Sequence, residues 1–110
     1  MRVLVCGGRD YDNTERVCDV LAGLRPSLVI HGAARGADSL AGLWARMSGV
    51  DVAEFPANWD KHGKAAGHIR NAQMLTEGKP DVVVAFPGGR GTEDMKRRAR
   101  AAGVEVREVS

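Results

Sequence analysis

The chain has 110 residues, 44% of them apolar and 27% charged, with a net charge of +2. That length fits one domain with one core, and the composition is globular rather than disordered. So small a net charge does not argue for a nucleic-acid partner unless the cations cluster on one face.

The start, Met1-Arg2-Val3-Leu4-Val5-Cys6, is a very short apolar run that meets Gly7-Gly8-Arg9-Asp10, so it does not read as an export signal. No apolar stretch approaches the roughly 20 residues that span a bilayer. A soluble, cytoplasmic protein without a membrane partner is expected. Cys6 and Cys18 lack CxxC spacing, and His31, His62 and His68 lack the i, i+4 spacing of a helical zinc pair. Neither a disulfide nor a protein-built metal site is expected. No cofactor should be tightly held, and a magnesium ion would come with a ligand.

Apolar runs then alternate with helical patterns. Arg2–Cys6, Ser27–His31, Val50–Phe55, Asp81–Phe86 and Val104–Val109 read as strands. After the first, Asp12 is the expected cap of a helix, with Glu15 three residues on and Val17, Val20, Leu21 and Leu24 on one face. The second helix opens near Gly36-Ala37-Asp38 and sets Leu40, Leu43, Trp44 and Met47 at core spacing, with Gly49 as its stop. The third runs from about Gly67 to Glu77 with Ile69, Ala72 and Leu75 inward. The fourth follows Gly91-Thr92, with Thr92 as expected N-cap, and buries Met95, Ala99 and Ala102. Strict alternation predicts a small doubly wound, Rossmann-like α/β domain spanning residues 1–110. Its five-stranded, mostly parallel sheet should run in the order 3-2-1-4-5 with helices on both faces.

In such sheets ligands bind beyond the carboxyl ends of the strands, so the residues after each strand carry the functional reading. They are Gly7-Gly8-Arg9-Asp10-Tyr11, Gly32-Ala33-Ala34-Arg35-Gly36-Ala37-Asp38, the long segment from Pro56 through Trp59 to Gly67 leading into Arg70-Asn71, and Pro87-Gly88-Gly89-Arg90-Gly91-Thr92. Glycines let backbone amides approach an anion, and the last loop delivers the chain into a helix N-terminus. Arg9, Arg35, Arg70 and Arg90 add guanidinium forks suited to phosphate. Asp10 and Asp38 could accept ribose hydroxyls, and Trp59 could stack on a base or sugar.

Plainer roles stand beside these. Asp38, Glu93 and Asp94 lie in first helical turns, where the dipole favours acids. Trp59 could cap the core edge, Arg90 could face water, and His31 reads as a hydrogen-bonded core-edge histidine. The run Lys96-Arg97-Arg98-Ala99-Arg100 reads as a solvated helix face paired i, i+4 with Glu93 and Asp94. The patterns GxxxxGK[ST] and GxGxxG are absent, which disfavours a P-loop ATPase or an NAD dehydrogenase.

Taken in order, these motifs, from Val5-Cys6-Gly7-Gly8-Arg9-Asp10 to Pro87-Gly88-Gly89-Arg90-Gly91-Thr92, resemble the YspA/YpsA-related branch of the SLOG superfamily. That superfamily also holds the Lonely Guy phosphoribohydrolases, the DNA-processing protein DprA and sensors of nucleotide-derived messengers. The resemblance implies a nucleotide-like ligand such as ADP-ribose or a nucleoside phosphate at the Pro-Gly-Gly-x-Gly-Thr loop. It also implies a homo-oligomer, such as a dimer. Lonely Guy enzymes carry a glutamate three residues after that threonine, and here the position is Met95. If the chain cleaves an N-glycosidic bond, its acid must be sought among Asp10, Asp38, Glu93 and Asp94. DNA binding as in DprA is the third reading.

Overall fold

The computed structural model describes residues 1–110. Five strands, β1 (Arg2–Cys6), β2 (Leu28–His31), β3 (Asp51–Glu54), β4 (Val82–Ala85) and β5 (Glu105–Glu108), form one parallel sheet in the order β3-β2-β1-β4-β5. Between them lie α1 (Thr14–Leu24), α2 (Ala37–Met47), the short α3 (Trp59–His62) followed by a 3₁₀ turn at Gly63–Ala65, then α4 (Ala66–Gly78) and α5 (Arg90–Ala101). The strand order is the one the alternating pattern predicts, with β1 and β4 at the centre.

The period-two geometry of strands divides the core into two layers. Val3, Val5, Val82 and Val84 point to one face, where Val17 and Leu21 of α1 and Ala37, Ala41 and Ala45 of α2 cover them. Leu4, Cys6, Val83 and Ala85 point to the other, under Met74 of α4 and Met95 and Ala99 of α5. Strands buried on both faces read as unbroken apolar runs, which is why β1 and β4 stand out in the sequence. The edge strands β3 and β5 carry Asp51, Glu54, Glu105, Arg107 and Glu108, and charge of that kind discourages edge-to-edge pairing with another sheet.

Several helical details depart from the sequence reading. The α1 cap is Asn13, one residue later than Asp12, and its side chain accepts from the Arg16 N–H at 3.0 Å. In α2 the inward stripe is Ala37, Ala41 and Ala45; Leu40 and Trp44 flank it, while Leu43 and Met47 are exposed, Met47 at 80%. Small side chains bring the helix backbone close to the sheet, and that approach excludes the larger residues from the contact. In α4 Met74 and Asn71 point inward and Ile69 lies outside. α5 starts at Arg90 with Gly89 as N-cap, so Thr92 is an interior, buried residue, and Ala102 is exposed beyond the helix end.

The α2 contact should respond to volume in a way the outer face does not. Ala41→Leu is expected to destabilise by about 1–3 kcal/mol through overpacking. Met47→Ser should stay within about 0.5 kcal/mol of the parent. Urea midpoints of the two variants check both expectations.

Candidate functional site

Three loops meet at one residue. The Gly8 N–H donates to the Pro87 carbonyl at 2.8 Å, and the Gly8 carbonyl accepts from the Ala37 N–H at 3.3 Å and the Tyr11 N–H at 3.2 Å. The ends of β1, β2 and β4 are thereby held together. Such closeness leaves no room for side chains. A Cβ at Gly36, where φ is +83°, would strike the Gly8 carbonyl, and one at Gly88 would strike the Thr92 hydroxyl.

The joined loops wall a cleft of about 400 Å³, within the range of small-molecule sites. Of the residues singled out by sequence, Gly7, Gly8, Arg9, Asp38, Trp59, Arg70, Asn71, Gly89, Arg90, Gly91 and Thr92 line it. Gly32 and Arg35 line an adjoining concavity of about 330 Å³ that shares Arg9, Ala34, Trp59 and Arg70 with the first. Asp10, Gly36, Pro87, Gly88, Glu93 and Asp94 lie on neither wall. Lys64 and His68 join the main cleft without having been singled out by sequence. Lys64 comes from the 3₁₀ turn of the long segment after β3, and His68 from the first turn of α4, two residues before Arg70.

The cationic groups differ in how they are held. Arg70 donates through Nη1 to the Gly32 carbonyl at 2.5 Å and through Nε to Asn71 Oδ1 at 3.2 Å, so its guanidinium is anchored with Nη2 left over. Arg9 lies over the Trp59 ring, 5.6 Å from its centroid, a cation–π contact that stiffens both exposed side chains. Arg35 reaches out to Asp10 at 3.3 Å, with both side chains mostly in solvent, so that pair contributes little. α5 begins with no side-chain cap, leaving its first N–H groups without an intrahelical partner where Gly89–Thr92 line the cleft.

The four candidate acids separate by environment. Asp38 is buried, and its Oδ2 accepts from Gly32 N–H at 3.0 Å and Ala34 N–H at 3.3 Å, which shapes the loop after β2. Burial pushes its pKa up to about 6, against the pull of the Ala34 and Gly32 amides and of Arg70. Asp94 is also buried, yet it is fully committed to holding helices: Asn71 Nδ2 at 3.0 Å, His68 Nδ1 at 3.0 Å, Arg97 at 2.5 Å and Arg98 at 2.8 Å surround it. Burial alone would raise its pKa, but these hydrogen bonds and the Arg98 charge win and draw it down to about 2. Glu93 is exposed and pairs with Lys96 at 2.6 Å, not with Arg97 as the i, i+4 reading has it.

His31 departs from the reading of a fully hydrogen-bonded histidine. Its Nδ1 accepts from Ala33 N–H at 2.9 Å, while the buried Nε2 has no hydrogen-bond partner and lies 3.7 Å from Glu54. Burial lowers its pKa in spite of Glu54, which keeps the ring neutral and Nδ1 free to accept. The Cys6 thiol, on the cleft floor, is pushed up to about 12 by burial, so it is no nucleophile at neutral pH. In the basic run of α5, Lys96 pairs with Glu93 and Glu108, Arg97 and Arg98 with Asp94, and Arg100 with Glu108.

A profile of the YspA, cpYpsA-related SLOG family matches residues 1–62. The Gene 61 protein of Mycobacterium phage D29 is 43% identical over 117 aligned positions, which cover 96% of this chain and 93% of that protein. Among solved structures, the X-ray structure of DNA processing protein A (DprA) from Streptococcus pneumoniae superposes with a TM-score of 0.58 at 17% identity. The superposition covers 96% of this chain and 57% of the DprA chain, so this chain spans little more than half the length of that structure. The likeness is one of fold.

The two buried acids should give opposite pH signatures. Asp38 has a folded-state pKa above its ordinary 3.8, so its contribution is favourable at low pH and is lost as pH rises through about 6. Asp94 has a folded-state pKa below 3.8, so its contribution is present above that value and is lost as pH falls toward 2. Melting temperatures of wild type and Asp38→Asn between pH 4 and 7 check the first: the variant should lack the decline that wild type shows toward neutrality. Asp94→Asn should lack the acid-side loss between pH 4 and 2.

Proposed function

The chain belongs to the YspA, cpYpsA-related SLOG family, and from the cleft its loops build we propose that it binds a nucleotide-derived phosphate ligand at the carboxyl edge of the sheet. The observation that carries this reading is the charge balance of the wall. Arg9, Lys64, Arg70 and Arg90 line the cleft together with an uncapped helix N-terminus, against a single carboxylate, Asp38. An anion satisfies the first-turn amides of α5, is favoured by the helix dipole and meets Arg90 beside them. Trp59, half exposed and backed by Arg9, offers its ring to a base or sugar. Magnesium would enter on the ligand's phosphates.

A hydrolytic reading, cleavage of the N-glycosidic bond of a nucleoside 5′-monophosphate, narrows to one acid. Asp38 alone among the candidates lines the cleft, and a carboxyl group with a pKa of about 6 suits a general acid near neutrality. Met95 is fully buried in the core and offers nothing to the cleft. Binding of DNA, the reading that the DprA neighbour, named for DNA processing, brings to mind, draws less support. Lys96, Arg97, Arg98 and Arg100 each have a carboxylate partner, so α5 presents no free basic stripe to a phosphate backbone.

Native mass spectrometry and thermal shift against AMP, ADP-ribose, cyclic ADP-ribose and NAD, with product analysis, test the reading. A bound, unchanged ligand is the expected result; release of free base and ribose 5-phosphate would make the protein a hydrolase. Gly89→Asp separates binding from folding. A Cβ there meets nothing within 4 Å, so the new carboxylate can cap α5 and add about a few tenths of a kcal/mol of stability over glycine. The same carboxylate occupies the anion's place, and affinity for AMP should fall at least about tenfold. Undiminished calorimetric affinity in this variant would place the ligand elsewhere.

A further inference from the structure

The concavity beside the main cleft has a different chemistry. It is lined by Gly32, Ala33, Ala34, Pro56 and Ala57 together with three arginines, Arg9, Arg35 and Arg70, and by no carboxylate. Its loop amides are already committed: Gly32 and Ala34 donate to Asp38, and Ala33 donates to His31. The backbone therefore has little to offer a ligand there, and recognition falls to guanidinium groups. Arg70 keeps Nη2 free of the bonds that anchor it, and it lies near enough to Arg9 for the two like charges to oppose each other. The sole partner of Arg35 is Asp10, across an exposed pair that opens at little cost. Three arginines on one wall, with no carboxylate lining it, suit an anion with several oxygens, which a phosphoryl group supplies.

The two concavities are not separate sites. Arg9, Ala34, Trp59 and Arg70 belong to both walls, so one ligand can run from one into the other past the Trp59 ring. We infer that the second concavity receives a second phosphoryl group of the same ligand, so that the protein selects a nucleoside diphosphate, free or sugar-linked, over a nucleoside monophosphate. The inference rests on the phosphate-binding reading of the main cleft and adds its specificity. Amides at the α5 N-terminus serve the first phosphate and arginines serve the second. Arg35, which lines only the second concavity, is then the residue that sets the preference.

Calorimetric titration of wild type and Arg35→Ala with AMP, ADP and ADP-ribose, in magnesium-free buffer at one ionic strength, tests this. In wild type, ADP and ADP-ribose should each bind about tenfold or more tighter than AMP, as a charge-assisted fork to one phosphate warrants. In Arg35→Ala that ratio should shrink to within about threefold, with an unchanged melting temperature because the side chain is 74% exposed. A wild-type ratio near one, or a ratio that survives the substitution, overturns the inference and leaves the main cleft's reading standing. A gain for ADP-ribose without one for ADP also overturns it, because the second concavity would then recognise the sugar. Failure of all three to bind removes both readings together.

Discussion

The backbone of Gly8 is the constraint on which the carboxyl edge depends. Its N–H and carbonyl tie the loop after β1 to Pro87 on one side and to Ala37 on the other. The loops after β2 and β4 consequently meet over the centre of the sheet instead of diverging. Strand order makes this possible, since β2 and β4 are the two neighbours of β1. Glycine at 36 and 88 then lets the backbones come within reach without a Cβ in the way.

Around that join the molecule sorts its charges by burial. Asp38 and Asp94 occupy similar places in their helices, each in or near a first turn, yet their surroundings drive them apart. Asp38 receives two amide hydrogen bonds in an apolar setting and lies on the cleft wall. Asp94 gathers four polar partners and joins α4 to α5. One carboxylate lines the cleft and the other belongs to the scaffold. Cations are distributed the opposite way. Lys96, Arg97, Arg98 and Arg100 of α5 are neutralised by Glu93, Asp94 and Glu108, whereas Arg9, Lys64 and Arg90, the first residue of that helix, have no carboxylate partner at the cleft.

Much of the architecture was legible because it rests on local signals. Apolar runs such as Val82–Ala85 and glycine-arginine loops after strands are visible without tertiary knowledge, and the topology follows from their alternation. Helix faces were harder. The inward stripe of α2 is made of alanines, which carry little hydrophobic contrast, so Leu43 and Met47 drew the eye although they face outward. In α4 a buried Asn71 stands on the inward face for the sake of Asp94, a partner 23 residues away that no helical spacing reveals. The four-residue α3 is polar throughout apart from Trp59, and its Asn58 cap resembles any loop asparagine. Lys64 reaches the cleft from the 3₁₀ turn that follows α3, and His68 from the first turn of α4.

The ties described here are unevenly spread around the cleft. One jaw, α4 with α5, is bolted by Asp94, and the loop between β2 and α2 is fastened to Gly8 and Asp38. The opposite lip, around Trp59, packs on the start of α4 and meets the loop after β1 through the Arg9 guanidinium over its ring, with no long-range hydrogen bond of its own. Trp59 shares the chain with one other tryptophan, Trp44, which packs against the opposite layer of the sheet, so the indole at the cleft is one of two emitters in different surroundings and the only one that lines the cavity.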